Sequence, residues 1–317
     1  MSDTVSLAHR IVDSDAFASL RREQRIHERF HALGWSSING AYYRDAQSEK
    51  YREIDVLASR MWKRTYRYTE QLVRVRMVVE AKSIKGFHLL LGGHVSSDMG
   101  YDHRFWPGND YPLHERLRQA LVKNDLLEVQ VRWAMNQLEK LAFPGDSASV
   151  SRLLIPPPPA PRSASTFRET NIHGTKELDS SVLWRASQSL SSAVKALKEE
   201  LRDYHLGWMT APLECSPKPL EGPPKGEDVA DLRNSFRRQL GMVDIFHPIA
   251  VVEAHLWMPV GSSVERVPSC RFLQLGSLGT PTWWVDIVDY EALPQFLKAT
   301  TNYYAVSLRS VRAKPVT

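Results

Sequence analysis

The chain has 317 residues, 43% of them hydrophobic and 24% charged, proportions that exclude global disorder and leave room for one large domain or two smaller ones. Forty-one basic residues against 36 acidic ones give a net charge of +5, which admits a polyanionic partner without requiring one. No apolar run is long enough to cross a bilayer, and the opening MSDTVSLAHRIVDSD lacks the basic-then-apolar order of a signal peptide, so no membrane partner is expected. The two cysteines, Cys215 and Cys270, have no CxxC companion. That argues against a disulfide framework or a structural zinc site and fits a reducing cytoplasm.

In chain order, Ser14-Asp15 can cap a helix running to about Leu33 and ended by Gly34. Trp35–Arg44 and Tyr51–Ser59 read as strands separated by the polar turn Asp45–Lys50. Gln71–Lys82 is a third, with Val73, Val75, Met77 and Val79 alternating on one face. Lys85–Asp110, rich in Gly, His and Asp, reads as a loop, and Asp110 and Pro112 then start helices over most of 112–142. Ser151–Thr166, with prolines at 156–159, reads as an extended linker. Leu183, Ala186, Leu190, Val194, Leu197 and Leu201 mark an amphipathic helix, and Pro212–Glu227 a proline-broken loop. His247–Pro259 and Thr282–Val288 read as buried strands, and Leu293, Phe296 and Leu297 as a short terminal helix. The expected fold is α/β, a mixed sheet flanked by helices. Residues 1–83 form the first part of its core, 84–178 an insertion, and 179–317 the completion of the core with a C-terminal extension.

Two strands carry the chemistry. In REIDV, Glu53 and Asp55 are two residues apart and are expected to share a strand face; in VVEAKS, Glu80 and Lys82 are expected to do the same. If the strands are neighbours, carboxylates and an ammonium converge on one spot. Clustered carboxylates repel, and an all-oxygen donor set suits a hard cation, Mg²⁺ or Mn²⁺. A lysine beside that ion can orient or deprotonate an attacking water. Asp55 sits mid-strand in IDVLA, where an unpaired carboxylate is costly.

The order helix, strand, strand with Asp, strand with ExK, helix, strand resembles the common core of the restriction-endonuclease-like PD-(D/E)XK nuclease superfamily. The stretches GW…NGAYYRDAQSEKYREIDVLA and VVEAKS are similar to its bacterial stand-alone members, over about residues 17–83 and more loosely over 179–204 and 247–258. Ile54 stands where a proline usually precedes the motif aspartate. The resemblance implies an αβββαβ core, with Asp55, Glu80 and the Ala81 backbone carbonyl as metal ligands and Lys82 serving the water. It also implies a glutamate from the first helix. Glu23 is the candidate, with Ile26 and Phe30 at +3 and +7 and Gly34 at +11, within about 60° of the inward stripe; Glu28 falls on the opposite side. The activity implied is metal-dependent hydrolysis of nucleic acid, DNA foremost, in antiphage defence, restriction or repair. The rival is a catalytically silent nucleic-acid-binding or assembly module on the same fold. Many members act as dimers, and here a homodimer or a protein partner would use the insertion.

Arg60, Lys63, Arg64, Arg67, Arg74 and Arg76 interleave with Trp62, Tyr66 and Tyr68, a composition that can grip nucleic acid as well as keep a hairpin soluble. Gln188 is expected to face solvent. His88, His94, Asp98 and His103 match no metal-site spacing, and Trp283-Trp284 reads as core or interface.

Overall fold

A computed structural model describes residues 9–45, 48–66, 69–93, 104–105, 111–123, 162–171, 181–214, 242–275 and 281–308, together with a few isolated positions. Helix α1 is Asp15–Ala32. Ser14 caps it, its hydroxyl accepting from the Phe17 N–H at 3.2 Å. At the other end Gly34 takes φ +76°, and the Gly34 and Trp35 amides return to the His31 and Phe30 carbonyls. That is the left-handed glycine stop expected there.

Strands β1 (Ser36–Arg44), β2 (Tyr51–Tyr66) and β3 (Thr69–Gly92) form an antiparallel meander. Next come β4 (Arg104–Phe105), helix α2 (Tyr111–Lys123), β5 (Ser163–Ala164), β6 (Thr166–Asn171) and the long helix α3 (Val182–Glu214). The chain continues with β7 (Met242–Val260), β8 (Ser263–Val267), β9 (Ser269–Leu275), β10 (Pro281–Asp289), a 3₁₀ turn (Tyr290–Ala292) and α4 (Leu293–Ser307). The sheet runs β1-β2-β3-β7-β10-β9-β5, with β3 parallel to β7 and β7 parallel to β10. It is therefore mixed.

Period-2 patterning explains why β3 is central. Val73, Val75, Met77, Val79 and Ala81 face one core and Val78 and Ile84 the other; past the irregularity between Ser83 and His88 the phase shifts, and Leu89 and Leu91 join that second core. Helices α2 and α3 cover the second face through Leu113, Leu117, Leu183, Leu190 and Leu197; α1 and α4 cover the first through Ile26, Phe30, Leu293 and Leu297. Burying each such side chain contributes about 1.5–3 kcal/mol before entropy is charged against it. Among the described residues no helix is long and apolar enough to cross a membrane.

Several expectations need correction. Lys85–Asp110 is not all loop: β3 runs on to Gly92, across the 83/84 division, and Arg104–Phe105 pairs with β7. Its Gly-, Lys- and His-bearing end is held as strand by pairing with β6 and β7, so tertiary context overrides propensity. Within the proposed linker, Ser163–Ala164 adds an edge strand beside β9. Helix α3 continues over Pro212 to Glu214, and the terminal helix extends to Ser307. Strands β8 and β9 had no sequence signal assigned; β8 is exposed at four of its five positions, which erases any alternation. Apart from Arg132 and Asn136, which are helical, the rest of 112–142 and of 212–227 lies outside the described residues.

Candidate active site at a gap in the sheet

Along its β2 edge, β3 loses its neighbour at the motif. Pairing with β2 ends at Val56↔Val79, and pairing with β6 begins only at Phe87↔Asn171. On the other edge β3 stays paired with β7 from Leu72↔Met242 through Ser83↔Glu253. Glu80, Ala81 and Lys82 thus lie where β2 and β3 part. The break begins in β2 itself: Ile54 serves one core and Val56 the other, so alternation fails at Asp55. Opposite this point β1 carries Gly40 at φ +66°, where an added Cβ would also come within 2.9 Å of Glu53 Oε1. The positive φ favours glycine there. Glu53, two residues before Asp55, is exposed and is reached by the Tyr42 hydroxyl at 3.5 Å; its charge acts with that of Asp55 on Glu23.

Asp55 fills the opening. Its Oδ2 accepts the Ala81 N–H at 2.7 Å, replacing a backbone partner, and lies 3.7 Å from Lys82 Nζ. The same ammonium is 2.7 Å from Glu80 Oε2. Glu80 Oε1 accepts the Ser189 hydroxyl of α3 at 2.6 Å, and the Ser189 carbonyl accepts the Tyr43 hydroxyl at 3.2 Å. From the opposite face α1 brings Glu23, whose Oε1 accepts the Ser19 hydroxyl at 3.1 Å and which feels the charges of Asp55, Glu53 and Lys82. The structure thus brings Asp55 and Glu80 each to Lys82, with Glu23 within their field. Glu28 is exposed.

The electrostatics are unbalanced. Burial, then the Asp55 charge, raise the Glu80 pKa above the ordinary carboxylate value despite Lys82 and Ser189. Burial and Asp55 likewise raise that of Glu23. Burial works against the Lys82 ammonium, but Glu80 and Asp55 more than offset it and hold its pKa above the usual lysine value. Lys82 is therefore a cation at neutral pH, which favours orienting a water over deprotonating it.

The described cations of the basic hairpin have partners within the fold. Arg74 and Arg76 both bind the buried Asp244, at 2.5 and 2.8 Å. Arg60 donates to the Leu33 carbonyl at 2.6 Å and lies over the Trp62 ring. Lys63 is engaged as well. These side chains bind the protein to itself, and the side chains of Arg64, Arg67, Tyr66 and Tyr68 lie outside the described residues. Gln188 is exposed, and Trp283 and Trp284 are buried in the core.

The carboxylates at the gap are not the tightest cluster. Among the described residues, the group of three with all ligand atoms within 4.8 Å of one another is His255, Asp289 and Glu291. Arg266 already supplies its cation, 2.9 Å from Asp289 and 3.0 Å from Glu291, and Asp289 also caps the Glu291 N–H. His88, in β3 rather than a loop, stacks on His255 and accepts from Trp257; His94, Asp98 and His103 lie outside the described residues. Sequence reasoning missed Ser189 and Tyr43, because nothing local distinguishes either one and their contacts join residues 109 and 146 positions apart. No family model, no curated protein and no solved structure matches this chain.

Proposed function

We propose that the protein is a metal-dependent nuclease that hydrolyses nucleic-acid phosphodiesters, DNA foremost. One observation carries the reading: Glu80 and Asp55 approach a single lysine ammonium at the place where the sheet opens. The order α1-β1-β2-β3-α3-β7, with β3 and β7 parallel, supports placing the chain with restriction-endonuclease-like nucleases.

The residues fit a hard divalent cation. The donors are carboxylate oxygens, and Asp55, Glu80 and Glu23 together carry more negative charge than Lys82 neutralises. Asp55, Glu80 and the Ala81 carbonyl would hold it. A bound Mg²⁺ or Mn²⁺ supplies Lewis acidity, neutralising charge that develops on the phosphate and lowering the pKa of a ligated water. Lys82, kept protonated by its two carboxylates, donates hydrogen bonds that orient the water or a phosphate oxygen. Glu23 supports a second ion or the water from the α1 side. Antiphage defence, restriction or repair are the settings in which such an activity would serve.

The test is incubation of wild type and Lys82→Ala with double-stranded, single-stranded and branched DNA and with RNA, in Mg²⁺, Mn²⁺ or chelator. Cleavage by wild type that chelator and Lys82→Ala both abolish is expected. Equal activity in the two proteins removes the mechanism, and binding without cleavage on every substrate assigns the chain to the silent-module reading.

A further inference from the structure

Ser189 divides the Glu80 carboxylate between two tasks. Its hydroxyl holds Oε1 at 2.6 Å from the α3 side, leaving Oε2 turned toward Lys82 at 2.7 Å. A hydroxyl on an ionised carboxylate at this distance is a charge-assisted bond, strong enough to fix the rotation of the group. Ser189 is itself fixed. Tyr43, buried between β1 and α3, donates to its carbonyl. Farther back, the buried Glu169 of β6 accepts the Val182 and Leu183 amides at 3.1 and 2.8 Å and the Ser181 hydroxyl at 2.9 Å, tying the first turn of α3 to the sheet. Position 189 is therefore set by two strands on opposite sides of the gap.

We infer that Ser189 is a positioning residue that presents Glu80 to a divalent cation through one oxygen, with Tyr43 as its support. The inference rests on the nuclease reading and adds to it the side chain that orients the motif glutamate. Hydrogen bonds of this kind behind a metal ligand typically set metal affinity or activity by 10–100-fold.

The experiment titrates Mn²⁺ into wild type, Ser189→Ala, Ser189→Thr, Tyr43→Phe and Asp55→Ala, following the melting temperature alongside cleavage. Ser189→Ala is expected to need roughly 10–100 times more Mn²⁺ for half-maximal stabilisation and cleavage, beside a metal-free melting temperature lowered by the lost bond to a buried carboxylate. Ser189→Thr, which retains the hydroxyl, is expected to restore the wild-type requirement, and Tyr43→Phe to fall between them. An unchanged Mn²⁺ requirement in Ser189→Ala, or a loss that Ser189→Thr does not rescue, overturns this role while leaving the nuclease reading intact. If wild type shows neither cleavage nor stabilisation by Mn²⁺ that depends on Asp55, both fall together.

Discussion

Two of the charged clusters in this sheet behave in opposite ways. At the gap between β2 and β3, Glu80 and Glu23 have raised pKa values because burial and neighbouring carboxylates outweigh Lys82. Across the sheet, Asp286 on β10 is just as enclosed, yet its carboxyl is held down at about 2: burial alone would raise it, but Arg271 and His247 prevail. Arg271 reaches both Asp286 oxygens at 2.8 Å and lies over the Trp284 ring. His247, kept neutral by burial, bonds Asp286 through Nε2 at 2.8 Å and Tyr304 through Nδ1 at 3.0 Å. Since the carboxylate can only accept, Nε2 carries the proton and the Tyr304 hydroxyl donates to Nδ1. The second cluster closes on itself. The first holds more carboxylates than cations, the surplus that the proposed function assigns to a metal ion, and that contrast separates a candidate site from a structural ion pair better than burial does.

The comparison breaks if both clusters respond alike to losing a carboxylate. The largest effect on cleavage is expected from Asp55→Asn, which should lower it on the order of 100- to 1,000-fold, corresponding to about 3–4 kcal/mol, with little loss of metal-free stability. Single-turnover assays and thermal melts on the same samples separate the two quantities. Asp286→Ala should do the reverse, costing about 3–5 kcal/mol of stability by stranding Arg271, measured by denaturant unfolding, while folded protein retains its activity. A catalytic defect in fully folded Asp286→Ala would end the division of roles.

Smaller effects sharpen the contrast. Saturating Mn²⁺ should stabilise wild type by about 3 kcal/mol at a hundredfold excess over the dissociation constant, and Asp55→Ala should remove that gain. The two clusters also have opposite linkage to pH. Asp286, with its folded pKa below the ordinary 3.8, contributes stability that is present above that value and lost as pH falls toward about 2. Glu23, with its folded pKa above 4.5, contributes stability that is present below 4.5 and lost as pH rises through its folded value. At neutral pH without metal, Glu23→Gln should therefore raise the melting temperature slightly, a gain that vanishes below about pH 4.5. A melting-temperature difference that stays constant across pH 4–8 would sink that assignment.

Local signals made much of this molecule legible. Ser14 and Gly34 bound α1, period-2 alternation marks β3, and three- and four-residue apolar steps mark the buried stripe of α3. Each of these rests on neighbours a few residues apart, so the sequence by itself determines them. It also brought forward Asp55, Glu80, Lys82 and Glu23 as a set. What only the tertiary structure decided depends on register between distant segments. Arg74 and Arg76 meet Asp244, 170 and 168 residues away, so cations that resemble a nucleic-acid grip serve the protein interior. The end of β3 is strand because β6 and β7 supply its partners. Ser189 reaches Glu80 because α3 is tied across the sheet beside the stretch of β3 that has parted from β2. No local pattern encodes such contacts, since periodicity fixes which way a side chain faces but not which distant residue it will find there.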